Sequence, residues 1–430
     1  MSGDLPEGTR TVELALADCH GVLRGKRIPA SQWENVKASG IHMASVLYTW
    51  TPRCEIREDD VFLPPESGWP DMHVTPLIDD VRRVPWRPES AMVLCDSHME
   101  DGSEIEVSPR AALRRVLNRA AALGFEVRTG FEIEFYLLDA ETKKPHFDDV
   151  QCYGISRGAQ FEYVLAPIRN QLEEFGIPIE ASNAEFAPGQ FEVNVKYDEA
   201  MRTADNAVLF RNGVREIAAQ HGCIASFMAK PSFDQSGSGV HIHHSLWQDG
   251  KNVFSDGGKL SDIGRWYLGG LHKHIAELTI FGSPTPNSFK RRQPYSFCPQ
   301  AATWGMDNRT TALRVIEGSA SAVRIEQRDG SSDCNPYTIL AAQIGAGLAG
   351  IEQNIEPGPM TMGDAYSDPN AVMLPANIPE AIELLEKSEL ARQVFGDMFV
   401  QMAAGAARYE HRFVSERVSD IERDRYLEAF

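Results

Sequence analysis

From Gly130 to Leu138 apolar and acidic residues alternate strictly, so an extended chain carries Phe131, Ile133, Phe135 and Leu137 on one face and Glu132 and Glu134 on the other. Three further stretches repeat the pattern. Residues 191–197 set Glu192, Asn194 and Lys196 opposite an apolar face, 240–243 do so with His241 and His243, and 324–328 with Arg324, Glu326 and Arg328. One such strand reads equally well as a solvated surface. Four of them predict a sheet whose polar side lines a shared interior.

The remaining pattern predicts elements around that sheet. Residues 11–17 and 21–28 read as a hairpin closed by a polar turn. A stretch rich in Pro, Asp and Trp (49–88) predicts long loops before an apolar strand at 91–95. Turn residues at 101–103, then Ser108 as N-cap with Pro109 behind it, mark a boundary between a small β-rich domain (1–103) and a larger one (104–430). In the larger domain helices are expected at 109–123, 162–175 and 200–221, stopped by Gly124, Gly176 and Gly222, and further helices at 262–281 and 337–351. Strands are expected at 312–316 and 322–328, and charged helices from Pro379 onward. The class is α+β.

Composition narrows the function. The 430 residues carry a formal net charge of −19, which disfavours nucleic acid and acidic membranes as partners. Seven scattered cysteines without a CxxC pair predict reduced thiols, no zinc knuckle and a cytoplasmic location. No run of 18 apolar residues occurs, so no membrane span is expected.

Adjacent like charges on a strand gain nothing for stability and imply a cation before them. Glu132, Glu134, Glu185, Glu192 and Glu326 with His241 form a donor set of hard oxygen and one nitrogen, suited to Mg²⁺ or Mn²⁺. His243 and His244 are weaker candidates, because one of two consecutive residues must face away. Lys290, Arg291, Arg292, Arg309, Arg314, Arg324 and Arg328 concentrate positive charge in an acidic chain, as clamps for phosphate and carboxylate would. The Gly/Ser stretch at 234–239 reads first as a plain turn, with backbone amides that an anion could approach as the sharper alternative. The GxGxxG at 345–350 lies late in an apolar helical run with no strand before it, so it reads as close helix packing and not as a dinucleotide site. Metal ligands with an arginine cluster describe a phosphoryl-transfer site.

The order of motifs is familiar: 131–135, Glu185, 188–192, 237–243, 287–291, Asn308 with Arg309, and 324–328. Together they resemble the glutamine synthetase family over nearly the whole chain. The resemblance implies a β-grasp-like N-terminal domain, a catalytic antiparallel sheet in a half-barrel flanked by helices, and a dodecamer of two stacked hexamers with active sites between subunits. It implies two or three Mg²⁺ or Mn²⁺ ions per site, Glu134, Glu185 and Glu192 holding one near the acid and Glu132, His241 and Glu326 one near the nucleotide. ATP is expected at Glu180, Tyr197, His243, Ser245, Arg314 and Arg324. Glutamate is expected at Gly237, Arg291 and Arg328, and the transferring phosphate at Arg309, so that Arg291, Arg309 and Arg328 carry the catalysis.

Departures from the family pattern are as informative. Phe297 stands where glutamine-forming members place a Glu that binds ammonium and takes its proton, and a phenyl ring can do neither. Residues 43–53 hold no Asp-Gly-Ser, which removes a second acid from that pocket and makes Tyr48 and Trp50 candidates for its wall. Ser236 replaces an Asn at the acid's amino end, so a close analogue of glutamate is an alternative acid. The resemblance is therefore to the γ-glutamyl-amine ligase branch, which joins glutamate to an organic amine through a γ-glutamyl phosphate and releases ADP and phosphate. A true glutamine synthetase and a catalytically silent ring-forming relative are the alternatives.

Overall fold

The computed structural model of the chain describes residues 3–149 and 152–430. Two sheets dominate its α+β architecture. The N-terminal sheet pairs Thr11–Ala17 with Leu23–Pro29 as the expected hairpin and, in parallel, with Ser90–Met99, beyond which lie Asp71–Pro76 and Ile41–Ala44. Val12, Leu14, Val93, Met72 and Val74 bury one face of it.

The second sheet is longer. Its strands run Trp304–Met306, Leu313–Ile316, Arg324–Ser331, Gly239–Gln248, Glu126–Asp139, Gln190–Glu199, Ile179–Ala184, and every pair but the first is antiparallel. The central strand, Glu126–Asp139, shows the alternation read from 130–138: Phe131, Ile133, Phe135 and Leu137 are buried, and Glu132 and Glu134 are half-buried on the opposite face. Because side chains alternate with period two, antiparallel register alone sets the polar residues beside one another. Glu132 pairs with His241 on one side and Asn194 on the other, Glu134 pairs with Glu192, and Glu326 pairs with both His243 and Arg314.

Helices cover the apolar face. Ala200–Gln220 packs on Glu126–Asp139 and Gln190–Glu199, and the almost wholly buried Pro336–Gln353 packs on it and on Asp262–His274. Ser108 caps Pro109–Ala122 through a hydrogen bond from the Ala111 amide, and Gly124 at φ +85° follows its end. The 345–350 glycines are indeed packing devices: a Cβ on Gly350 would stand 2.1 Å from the Trp266 carbonyl oxygen, and one on Gly347 2.2 Å from the Tyr267 ring. One expected helix is divided. The chain leaves the helix after His274 and resumes at Thr279–Gly282, because Ile275, Leu278, Ile280 and Phe281 are all buried and no single helical stripe accommodates them. The break stacks Phe281 on Phe395 at 4.2 Å.

Partly buried charge ties the N-terminal sheet to the helices behind the second sheet. Arg110 donates to both oxygens of Asp205 (2.9 and 3.0 Å) and to Asp96 of the N-terminal sheet (2.8 Å), and Tyr337 donates to Asp205 (2.7 Å).

Candidate active site

A cleft of about 960 Å³ opens over the polar face of the second sheet. It is lined by Glu132, Glu134, Glu180, Glu185, Glu192, Tyr197, Ser236, Gly237, His241, His243, Ser245, Arg291, Phe297, Arg309, Arg324 and Arg328, drawn from segments nearly 200 residues apart. Glu326 and Arg314 do not line it. Glu326 is fully buried beneath the cleft floor, ion-paired with Arg328 (2.5 Å) and Arg314 (3.0 Å), and Arg314 also holds Asp307.

The donors close into two groups. The ligand atoms of Glu132, Glu192 and His241 lie within 4.8 Å of one another, as do those of Glu132, His243 and Glu326. Glu132 is therefore common to both. Glu134 is held elsewhere, accepting from the Gly239 amide (2.6 Å) and from Gln190 Nε2 (3.2 Å), and Glu185 accepts from Asn183 (2.8 Å). Arg324 Nε donates to His243 Nδ1 (3.2 Å), so the opposite ring N–H is directed at Glu132 Oε1 (2.9 Å). His244 faces away, its ring between Gln343 and Tyr267, and burial lowers its pKa to about 4.

Electrostatics tests whether a cation fits. Burial, then the charges of Glu132, Glu134 and Glu185, push the Glu192 carboxyl up to about 9. Burial and Glu134 raise Glu185 to about 7. Burial also pushes Glu132 upward, but hydrogen bonds to His241 and His243 outweigh it and hold that carboxyl well below its ordinary value. Glu326 is likewise brought to about 2, burial being overcome by Arg328 and the two histidines. Carboxylates that cannot all ionise in their own field, with one imidazole in each of the two donor groups, fit a hard divalent cation.

Some contributors escaped the sequence reading. Gln190 shares the face of Glu192 and Asn194, so the period of two would have found it. Tyr153 and Phe186 line the cleft with exposed rings, and only their burial state reveals them. Tyr48 does not form the wall proposed for it: it is 3% exposed in the N-terminal core, bonded to Ser97 at 2.7 Å. Trp50 is half-buried beside Arg24 and lies outside this cleft.

Residues 106–426 match the family described as "Glutamine synthetase, catalytic domain". The chain belongs to the glutamine synthetase family. Its relatives include the glutamate–isopropylamine ligase of a Pseudomonas species, 35% identical with 97% of this chain and 95% of that one covered. The γ-glutamylethanolamide synthetase GlnA4 of Streptomyces coelicolor is 35% identical (97% and 92% covered). The glutamine synthetase of Halobacterium salinarum is 34% identical (99% and 95% covered). A solved complex of GmaS with ADP superposes at a TM-score of 0.88 with 30% identity, covering 98% of this chain and 97% of that one. As a member of the glutamine synthetase family with this likeness to γ-glutamyl-amine ligases, the protein is an ATP-dependent ligase whose family uses divalent metal ions and small-molecule substrates. No helix among the described residues is long and apolar enough to cross a membrane.

Proposed function

We propose that this chain joins the γ-carboxylate of glutamate to an organic amine. A carboxylate oxygen attacks the γ-phosphorus of ATP and displaces ADP; the amine nitrogen then attacks the acyl carbon of γ-glutamyl phosphate and displaces phosphate. The observation that carries the choice of amine is Phe297, which is 51% exposed and lines the cleft, and which the sequence resemblance sets where glutamine-forming members carry an ammonium-binding Glu. Identity alone does not separate the branches, since glutamine synthetases and amine ligases stand at 34% and 35%. The side chain at 297 supports the amine branch.

Glutamate is assigned to Gly237, Arg291 and Arg328, with Ser236 at its amino end and Arg309, exposed at the cleft edge, reaching the transferring phosphoryl group. The nucleotide is assigned to Glu180, Tyr197, His243, Ser245 and Arg324; Arg314 acts through Glu326, which it pins. Glu134, Glu185 and Glu192 with Glu132, His241 and Glu326 would hold two or three Mg²⁺ or Mn²⁺ ions. When bound, these supply charge neutralisation for the phosphoryl oxygens. The chain's own contribution is positioning: Gly239 and Gln190 fix Glu134, Arg324 orients His243, and Arg314 with Arg328 fixes Glu326.

The cleft's exposed aromatic mouth supports a neighbouring subunit as its cover. We therefore assign residues 1–103 as a β-grasp-like domain closing the adjacent protomer's cleft, 104–430 as a half-barrel catalytic domain, and the assembly as a dodecamer of stacked hexamers. Seven free thiols support a cytoplasmic location. The test is ADP release with glutamate and a panel of amines. Amine-dependent turnover exceeding that with ammonium at equal concentration supports the reading, and ammonium outrunning every amine overturns it.

A further inference from the structure

Resting on that reading, we propose that the acceptor is a primary monoamine whose carbon body ends without charge, and that Tyr366 is a positioning residue setting Phe297 as its wall. Two non-glycine residues of the same loop, Tyr295 at φ +60° and Phe297 at φ +57°, adopt left-handed backbone that aromatic residues rarely take. Such a conformation persists where the surroundings over-determine it, and it concentrates at ligand sites. Here the surroundings are visible. Tyr366 donates its hydroxyl to the Cys298 carbonyl (3.2 Å), and its ring lies 5.4 Å from that of Tyr295. Ser296 Oγ turns inward to the Gln293 carbonyl (2.7 Å), and Gln300 donates to the Arg292 carbonyl (3.1 Å). Tyr366 is itself fixed by the bond from its amide to Asp364 (3.0 Å). The braced loop turns Phe297 out of the core and onto the cleft.

Charge selects what that ring faces. No acidic residue occurs between Glu277 and Asp307; Arg291 of that stretch, with Arg309 and Arg328, lines the cleft, whose glutamates are those assigned above to the metal ions and the nucleotide. An ammonium at the far end of the acceptor would gain a cation–π contact with Phe297, but it would sit among like charges with no carboxylate on this loop to pair it. An alkyl or aryl body meets neither cost and buries apolar surface on the ring.

The experiment compares butylamine with 1,4-diaminobutane, equal in length and differing in the distal charge. In the wild type kcat/KM for butylamine should exceed that for the diamine by about tenfold, and Phe297→Glu should narrow or invert the ratio. Tyr366→Phe, which removes only the hydroxyl, should raise KM for butylamine several-fold while KM for ATP and the thermal midpoint stay unchanged. Diamine turnover equal to or above butylamine turnover would overturn this inference and leave the amine-ligase reading standing. Ammonium exceeding every amine of the panel would overturn that reading and this inference with it. A Tyr366→Phe variant with unchanged butylamine KM would overturn the positioning role.

Discussion

Glu132 and His241 occupy directly paired positions on neighbouring strands, with Glu132 Oε2 3.3 Å from His241 Nδ1, and the other oxygen of that carboxylate lies 2.9 Å from His243 Nε2. One side chain thus joins two donor groups that a one-to-one division of ligands would keep apart. Glu134, its neighbour on the same face, is tied to a backbone amide instead.

This asymmetry predicts different defects. Glu132→Ala should lower kcat/KM for both ATP and glutamate by about a hundredfold or more. Glu134→Ala should chiefly raise KM for glutamate, by about tenfold, with KM for ATP little changed. Initial rates over a grid of both substrates distinguish the two. Identical defects in the variants would contradict the division.

Stability of the metal-free protein should fall as pH rises. Glu192 and Glu185, raised to about 9 and about 7 from an ordinary 4.5, keep protons in the folded state that the unfolded chain has already lost. Their contribution is fully present below about pH 4.5 and disappears as pH passes through 7 and 9. A divalent cation replaces those protons, so the rise in thermal midpoint on adding Mg²⁺ or Mn²⁺ should be larger at pH 8.5 than at pH 6, and Glu192→Gln should flatten the difference. Scanning fluorimetry at the two pH values reads it directly.

Arg110 joins Asp96 of the N-terminal sheet to the buried Asp205. Arg110→Ala leaves Asp205 with only the Tyr337 hydroxyl among these partners and should destabilise the fold by about 3–5 kcal/mol. Arg110→Lys cannot span the two oxygens of Asp205 and should recover only part of that loss. Chemical denaturation with unchanged m-values checks both.

Gly350→Ala probes the helix contact. The added Cβ meets backbone at 2.1 Å from Trp266 and 2.6 Å from the Gly270 nitrogen, so neither neighbour can give way by rotating a side chain. A loss of about 2–3 kcal/mol is expected, with KM for ATP unaltered because the cleft lies on the sheet's other face. A nucleotide-binding defect without a stability loss would contradict the packing role.

The polar face of the catalytic sheet was legible because a strand has a strict period. Glu132, Glu192, His241 and Arg324 announce themselves by parity, and antiparallel register does the rest. The helices starting at Pro109 and Ala200 were legible from a cap or a terminal glycine. What sequence does not carry is long-range packing. The break after His274 brings Phe281 onto Phe395, and Tyr48, a candidate for the amine-pocket wall from sequence, is buried against Ser97. The sharing of Glu132 between donor groups is likewise set by the spacing of three strands, which no linear pattern records. Tyr366 gave no signal, since its importance lies in a contact with Cys298 68 residues away.

The central claim is that Phe297 commits the site to an organic amine. The most direct measurement is mass spectrometry of the products formed from ATP, glutamate and equal concentrations of ammonium and a short alkylamine. The γ-glutamyl alkylamide should predominate; glutamine as the major product would contradict the account.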